Sequence, residues 1–152
     1  MEEREFSNKV VFVTGATSGI GKACAVGFAN KGAIVACVGR KSEALDEVAR
    51  EIQRLGSEAV SIRADLSNES ETDEALATAI GKFGGIDVLV NAAGHIASGT
   101  IETTALEEWD KMLNVNLRAI FYLMQKASPS LIERKGNIVN VSSVTGLRSF
   151  PG

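Results

Sequence analysis

The stretch Lys9-Val10-Val11-Phe12-Val13-Thr14-Gly15-Ala16-Thr17-Ser18-Gly19-Ile20-Gly21 decides how this chain folds. Lys9 to Thr14 is a short, nearly unbroken apolar run that stops at a glycine. Such a run predicts a strand covered on both faces. Helical spacing follows from Gly19 to Lys31, with Ile20, Ala23, Cys24, Gly27 and Phe28 expected on one inward face, and Gly32 supplies the stop.

The turn between them, Gly15 to Gly21, carries chemistry. A helix start presents unpaired N–H groups and the positive end of its dipole, and a diphosphate is a natural ligand there. Gly15 supplies a tight turn, Gly19 lets a ligand approach the backbone, and Gly21 allows close packing of the helix. Thr17 and Ser18 add hydroxyl donors, and Ile20 opens the helix beside them. The context of strand, turn and helix is what lifts this glycine triplet above chance.

The same alternation continues outward. Strands are expected at Ala33–Gly39, Glu58–Ala64, Ile86–Asn91 and Asn137–Val141. Helices are expected at Lys41–Leu55, with Leu45, Val48, Ile52 and Leu55 inward, at Asn68–Phe83, and over a long stretch from Leu106 to Ile132 that Pro129 breaks or kinks near its end. Parallel strands joined by right-handed crossovers follow from this order. The expected architecture is an α/β doubly wound parallel sheet of the Rossmann type, strand order 3-2-1-4-5, helices on both faces, in one domain over residues 1–152 that is incomplete at its C-terminal side. The loop from Gly94 to Ala105 lies at the strand ends where such sheets bind ligands.

Composition narrows the partners. A formal net charge of −3 argues against general nucleic-acid binding, so any anion site must be local. No apolar run reaches the roughly 20 residues of a membrane span. Cys24 and Cys37 lack metal-like spacing and read as buried thiols in a reducing, cytoplasmic compartment; no metal site is expected.

Thr14-Gly15-Ala16-Thr17-Ser18-Gly19-Ile20-Gly21 resembles the cofactor motif of the short-chain dehydrogenase/reductase family, and the rest of the chain resembles that family in order. The resemblance implies an oxidoreductase that moves a hydride between a nicotinamide cofactor and a small alcohol or ketone. At the end of the second strand, Gly39 stands where NAD-preferring members carry an acid, and Arg40 follows it. A guanidinium pairs in a fork with a 2′-phosphate, which points to NADP(H), with NAD(H) the alternative. Asp65-Leu66 resembles the family's adenine contact; an N-cap or turn role is the competing reading of Asp65. Asn91-Ala92-Ala93-Gly94 resembles the family's Asn-Asn-Ala-Gly, Asn91 bridging strand ends through its amide. The lone His95 follows it and is read as incidental.

Asn116, in Asn114-Val115-Asn116-Leu117, takes by resemblance the role of the asparagine that distorts its helix and holds a relay water. Ser143, in Ser142-Ser143-Val144-Thr145-Gly146, takes that of the catalytic serine, whose hydroxyl polarises the substrate carbonyl. Tyr122 lies inside the long helix and is not given the acid/base role. The family's acid/base Tyr-x-x-x-Lys pair is expected just past Gly152, so this chain alone is expected to be inactive, with an uncovered fifth strand and marginal stability. Ile96, Ile101, Leu147 and Phe150 hint at an apolar substrate. The full-length protein is expected to be a homo-oligomer, dimer or tetramer. The competing functional reading is a non-catalytic NADP(H)-binding module, which leaves Ser143 and Asn116 unexplained. A nucleotide-sugar epimerase fits the glycine spacing poorly.

Overall fold

A computed structural model describes residues 4–148. The elements in order are β1 (Val10–Thr14), α1 (Gly19–Asn30), β2 (Ile34–Gly39), α2 (Ser42–Arg54), β3 (Ala59–Arg63), α3 (Glu69–Phe83), β4 (Val88–Asn91), α4 (Leu106–Leu113), α5 (Ala119–Glu133) and β5 (Asn137–Asn140). A π turn, Asn114–Arg118, joins α4 to α5, and a 3-10 turn, Val144–Gly146, follows β5. The four strand pairings are parallel, as the alternation of elements predicts, and the order is β3-β2-β1-β4-β5, as expected of a Rossmann-type sheet.

Side chains on successive strand residues point to opposite faces, and both faces are packed. Val11, Val13, Val35 and Cys37 meet α1 and α2 on one side. Phe12, Ala36, Val38 and Leu89 meet α3 and α5 on the other. Burial also pushes the Cys37 thiol up to about 12, so it stays protonated and inert. Among the described residues β5 pairs with β4 alone, and Ile138 and Val139 are 40% and 44% exposed, as expected of an uncovered edge.

The inward face of α1 corrects the sequence reading. Gly21, Ala25 and Ala29 are its buried positions, while Ile20 is 60% exposed and Ala23 and Gly27 face outward. Small residues bring this helix close to the sheet, so its most apolar residues do not mark the buried stripe. In the second helix, Leu45, Val48 and Ile52 are buried as expected, but Leu55 lies past the helix end and is exposed.

The long helix is also revised. It is interrupted at Asn114–Arg118, and it runs through Pro129 to Glu133. Proline removes the N–H that would bond the carbonyl four residues back. That carbonyl, on Gln125, accepts instead from the Ser128 hydroxyl at 2.8 Å, so the helix continues.

At the end of the sheet opposite the glycine turn, Asp87 is 4% exposed and joins three strands. Its carboxylate accepts from Val10 N–H at 2.9 Å, Lys9 Nζ at 3.1 Å and Arg134 at 3.4 Å. Its own backbone bonds Val10 and Asn137. Replacing Asp87 with alanine leaves these donors unpaired, so Asp87→Ala should lower unfolding free energy in urea by about 3 kcal/mol. Asp87→Asn, which still accepts from Val10, should cost less. Unchanged stability of Asp87→Ala would remove the residue from the fold's framework.

Candidate cofactor-binding cleft

The chain winds from β1 toward β3 in one direction, then from β4 to β5 in the other. The reversal leaves a crevice beyond the ends of β1 and β4, where such sheets bind ligands. Thr14 and Gly15 close its base. The Thr14 hydroxyl accepts from Ala92 N–H and Ala93 N–H, both at 3.1 Å. Gly15 has φ +65°, and a Cβ there would stand 2.8 Å from the Ala92 carbonyl oxygen. A Cβ on Gly21 would stand 2.2 Å from the Gly15 carbonyl oxygen. Gly21 is therefore required for the turn to fold back on itself as well as for helix packing.

Ser18 precedes α1 in extended conformation and makes no side-chain cap bond. The first helical bond is Lys22 N–H to Ser18 C=O at 3.1 Å. The N–H groups of Gly19, Ile20 and Gly21 thus face forward from the helix start. Gly19, at φ +52°, has nothing within 4 Å of where its Cβ would be. This bare, positively polarised cradle fits a diphosphate.

The cleft above it has a volume of about 380 Å³. Gly15, Thr17, Ser18, Gly19, Ile20 and Gly21 line its floor. Arg40, Asp65 and Leu66 form one end, and Ala92 and Gly94 form the other. Asn91 alone of the expected cofactor residues is not in the lining. It is 1% exposed, and its amide donates to Asn140 Oδ1 at 2.8 Å, bridging β4 and β5.

Asp65 is a turn residue that keeps one side free. Its Oδ1 accepts from the Ser67 hydroxyl at 2.7 Å and Ser67 N–H at 3.0 Å, while Asn68 takes the N-cap of α3. The Ser67 hydroxyl, chiefly, holds the carboxyl below its usual pKa; partial burial opposes this, and Ser67 N–H, Arg40 and Arg63 add to the lowering. Arg40 is exposed, at the cleft's rim, and makes no ion pair among the described residues.

Asn116 sits in the π turn, and its amide grips the loop after β4. Oδ1 accepts from His95 N–H at 2.8 Å and Nδ2 donates to His95 C=O at 2.6 Å. The His95 ring stands 3.3 Å from Glu108 of α4, so this histidine has a structural tie as well as a place in the cleft lining.

The short chain dehydrogenase family pattern matches residues 9–152. The chain belongs to that family. An uncharacterized oxidoreductase of Staphylococcus epidermidis is 39% identical over 139 residues, which cover 91% of this chain and 59% of that protein. The chain thus spans about three fifths of the length of the curated relatives it matches. Among solved structures, L-sorbose reductase from Gluconobacter frateurii, complexed with NADPH and L-sorbose, is 31% identical with a TM-score of 0.93, covering 97% of this chain and 57% of that one. An NAD+-bound xylitol dehydrogenase is 29% identical with a TM-score of 0.92, covering 97% of this chain and 57% of that one.

Within this short chain dehydrogenase, Ser143 lies beyond β5, exposed and outside the cleft lining. Its hydroxyl oxygen accepts from Thr145 N–H at 3.2 Å and from the Thr145 hydroxyl at 2.8 Å. Leu147 is 94% exposed, and Phe150 lies outside the described residues. The Tyr-x-x-x-Lys spacing expected past Gly152 also occurs inside the chain, because Lys126 stands four residues after Tyr122. The pair lies on α5 against α3, where the Tyr122 hydroxyl donates to Asp73 at 3.1 Å and Lys126 Nζ is 3.8 Å from the same carboxylate. Neither lines the cleft. Sequence reasoning missed Lys111 and Val115, which close the cleft from α4 and the π turn; helical spacing after the Gly94–Ala105 loop was their only signal.

Two predictions follow from this geometry. Gly21→Ala forces a Cβ against backbone and should destabilise the chain by about 2 kcal/mol or more in urea, whereas Gly27→Ala, in open helical space, should stabilise it by about 0.5–1 kcal/mol. Equal effects would show that the turn is looser than described. Because the Asp65 pKa is depressed on folding, its contribution is present above the unfolded carboxyl range and lost as pH falls through the lowered value. Ser67→Ala should move the NMR titration midpoint of Asp65 upward, toward the usual 3.9 or so; no movement would assign the lowering to Ser67 N–H and the arginines instead.

Proposed function

We propose that this chain is the cofactor-binding part of an NADP(H)-dependent oxidoreductase acting on a small alcohol or ketone. The observation that carries the coenzyme choice is Arg40, a guanidinium at the end of β2 with no ion pair among the described residues, with Gly39 in place of an acid and both lining the cleft. An acid at that strand end would bind the ribose hydroxyls of NAD(H) and repel a phosphate; a guanidinium does the reverse.

The residues divide the work. The N–H groups of Gly19, Ile20 and Gly21, helped by the Thr17 and Ser18 hydroxyls, would hold the diphosphate. Asp65 and Leu66 would receive the adenine, Asp65 through its free carboxylate oxygen. Ala92 and Gly94 leave room for the second ribose, and Asn91 keeps the β4 end in register with β5. Bound NADP(H) supplies the hydride donor or acceptor. Asn116 orients the loop that carries His95, and Ser143 would donate a hydrogen bond to the substrate oxygen. The proton itself is assigned to the tyrosine–lysine pair that the family resemblance puts beyond Gly152, since Tyr122 and Lys126 are tied to Asp73.

The full protein is read as a cytoplasmic homo-oligomer. The free thiols of Cys24 and Cys37 fit a reducing compartment. No helix among the described residues is long and apolar enough to cross a membrane. Trp109, Leu113, Leu117 and Phe121 form an exposed apolar stripe from α4 to α5 that suits a subunit contact. Arg40→Asp should weaken NADPH binding, followed by coenzyme fluorescence, by about a hundredfold and improve NADH binding. Retention of NADPH affinity by that variant would refute the coenzyme assignment.

A further inference from the structure

Arg40 is not the only cation at the adenosine end of the cleft. A second groove, about 740 Å³, adjoins the cleft, and the two share Arg40, Asp65, Ser67, Lys111 and Val115. These residues form the rim between them. Arg40 and Asp65 come from the ends of β2 and β3, and Lys111 faces them from α4.

The charges on this rim do not suffice for a phosphate without Lys111. A 2′-phosphate carries between one and two negative charges near neutrality. Arg40 contributes one positive charge and Asp65 one negative, which cancel. Of the groove's other two charged residues, Arg118 is paired with Glu69, and Asp110 lines the groove but not the cleft. Among the residues lining the cleft itself, Arg40 and Asp65 offset each other and Lys111 leaves a net positive charge for an anion. Its ammonium is available, because the nearest carboxylate oxygen, on Glu108, is 3.8 Å away and both side chains are about half exposed. Such a loose surface pair exchanges for a better partner at little cost.

We propose that Lys111 is a second specificity residue, closing on the 2′-phosphate of NADP(H) from α4 while Arg40 holds it from β2. This rests on the NADP(H) reading above. It makes coenzyme choice a property of two elements that meet at the rim.

The test is fluorescence titration of the full chain with NADPH and with NADH, with 31P NMR of the NADPH 2′-phosphate as a second readout. Lys111→Gln should weaken NADPH binding about tenfold, leave NADH binding within about twofold, and flatten the salt dependence of NADPH binding. It should also reduce the shift of the 2′-phosphate resonance on binding, and Lys111→Arg should restore both. If Arg40→Gln weakens NADPH binding and Lys111→Gln does not, the coenzyme reading stands and the role of Lys111 falls. Equal loss of both coenzymes in Lys111→Gln also overturns it, because the residue then acts on a shared part of the ligand or on folding. A parent chain that prefers NADH, or binds neither coenzyme, removes the NADP(H) reading and this inference with it.

Discussion

The approach of the β1 end to the β4 end is the constraint on which the rest of the site depends. Thr14 is almost wholly buried, and its single hydroxyl receives two backbone N–H groups from the strand end beside it. Each such bond contributes about 1 kcal/mol net, but leaving either N–H unpaired in this crevice would cost more. The next residue must then pass the Ala92 carbonyl at a distance no Cβ allows, so Gly15 follows. The turn it makes brings its own carbonyl against α1, so Gly21 follows in turn. The start of α1 is aimed into the crevice by these contacts, and its N–H groups have no partner from Ser18. Two of the three glycines thus serve backbone packing. Only Gly19 is bare toward the cleft.

Asn116 performs a comparable task on the other wall. A primary amide is one of the few side-chain groups that offers a donor and an acceptor side by side, as a strand neighbour does. Asn116 uses both on the backbone of His95, and so acts as a one-residue partner for the chain leaving β4. Asparagine is disfavoured inside an α-helix, and here it lies in a π turn between α4 and α5. The wider turn changes the phase of the helix. Before it, Lys111 faces the cleft; after it, Leu123, Ala127 and Leu131 face the core.

Legibility in the sequence followed the physics of each element. The strands and their parallel sense were readable because apolar runs covered on both faces leave little ambiguity and the intervening helices demand crossovers; their order followed from the Rossmann-type glycine turn after β1. The strand-end residues that make the cleft floor were readable for the same reason. The face of α1 was not, because its buried positions are glycine and alanine while the larger Ile20 lines the cleft. Pro129 misled because the hydroxyl that replaces its missing donor belongs to Ser128, and nothing local distinguishes that serine from a solvated one. Asp87 gave no signal because its partners lie 77 and 47 residues away.

Tyr122 and Lys126 show why spacing is weaker than position. Four residues apart on a helix puts two side chains on one face, and nothing more. Acid/base work by a tyrosine needs a neighbour that favours the phenolate. Here the hydroxyl donates to the Asp73 carboxylate and faces no cleft. The lysine is held in its charged form: hydrogen bonding to Tyr122 first, and the Asp73 charge second, raise its pKa. The pair also faces α3, away from the groups that would hold a nicotinamide. Spacing alone therefore assigns no acid/base role; the groups that face the hydroxyl decide it.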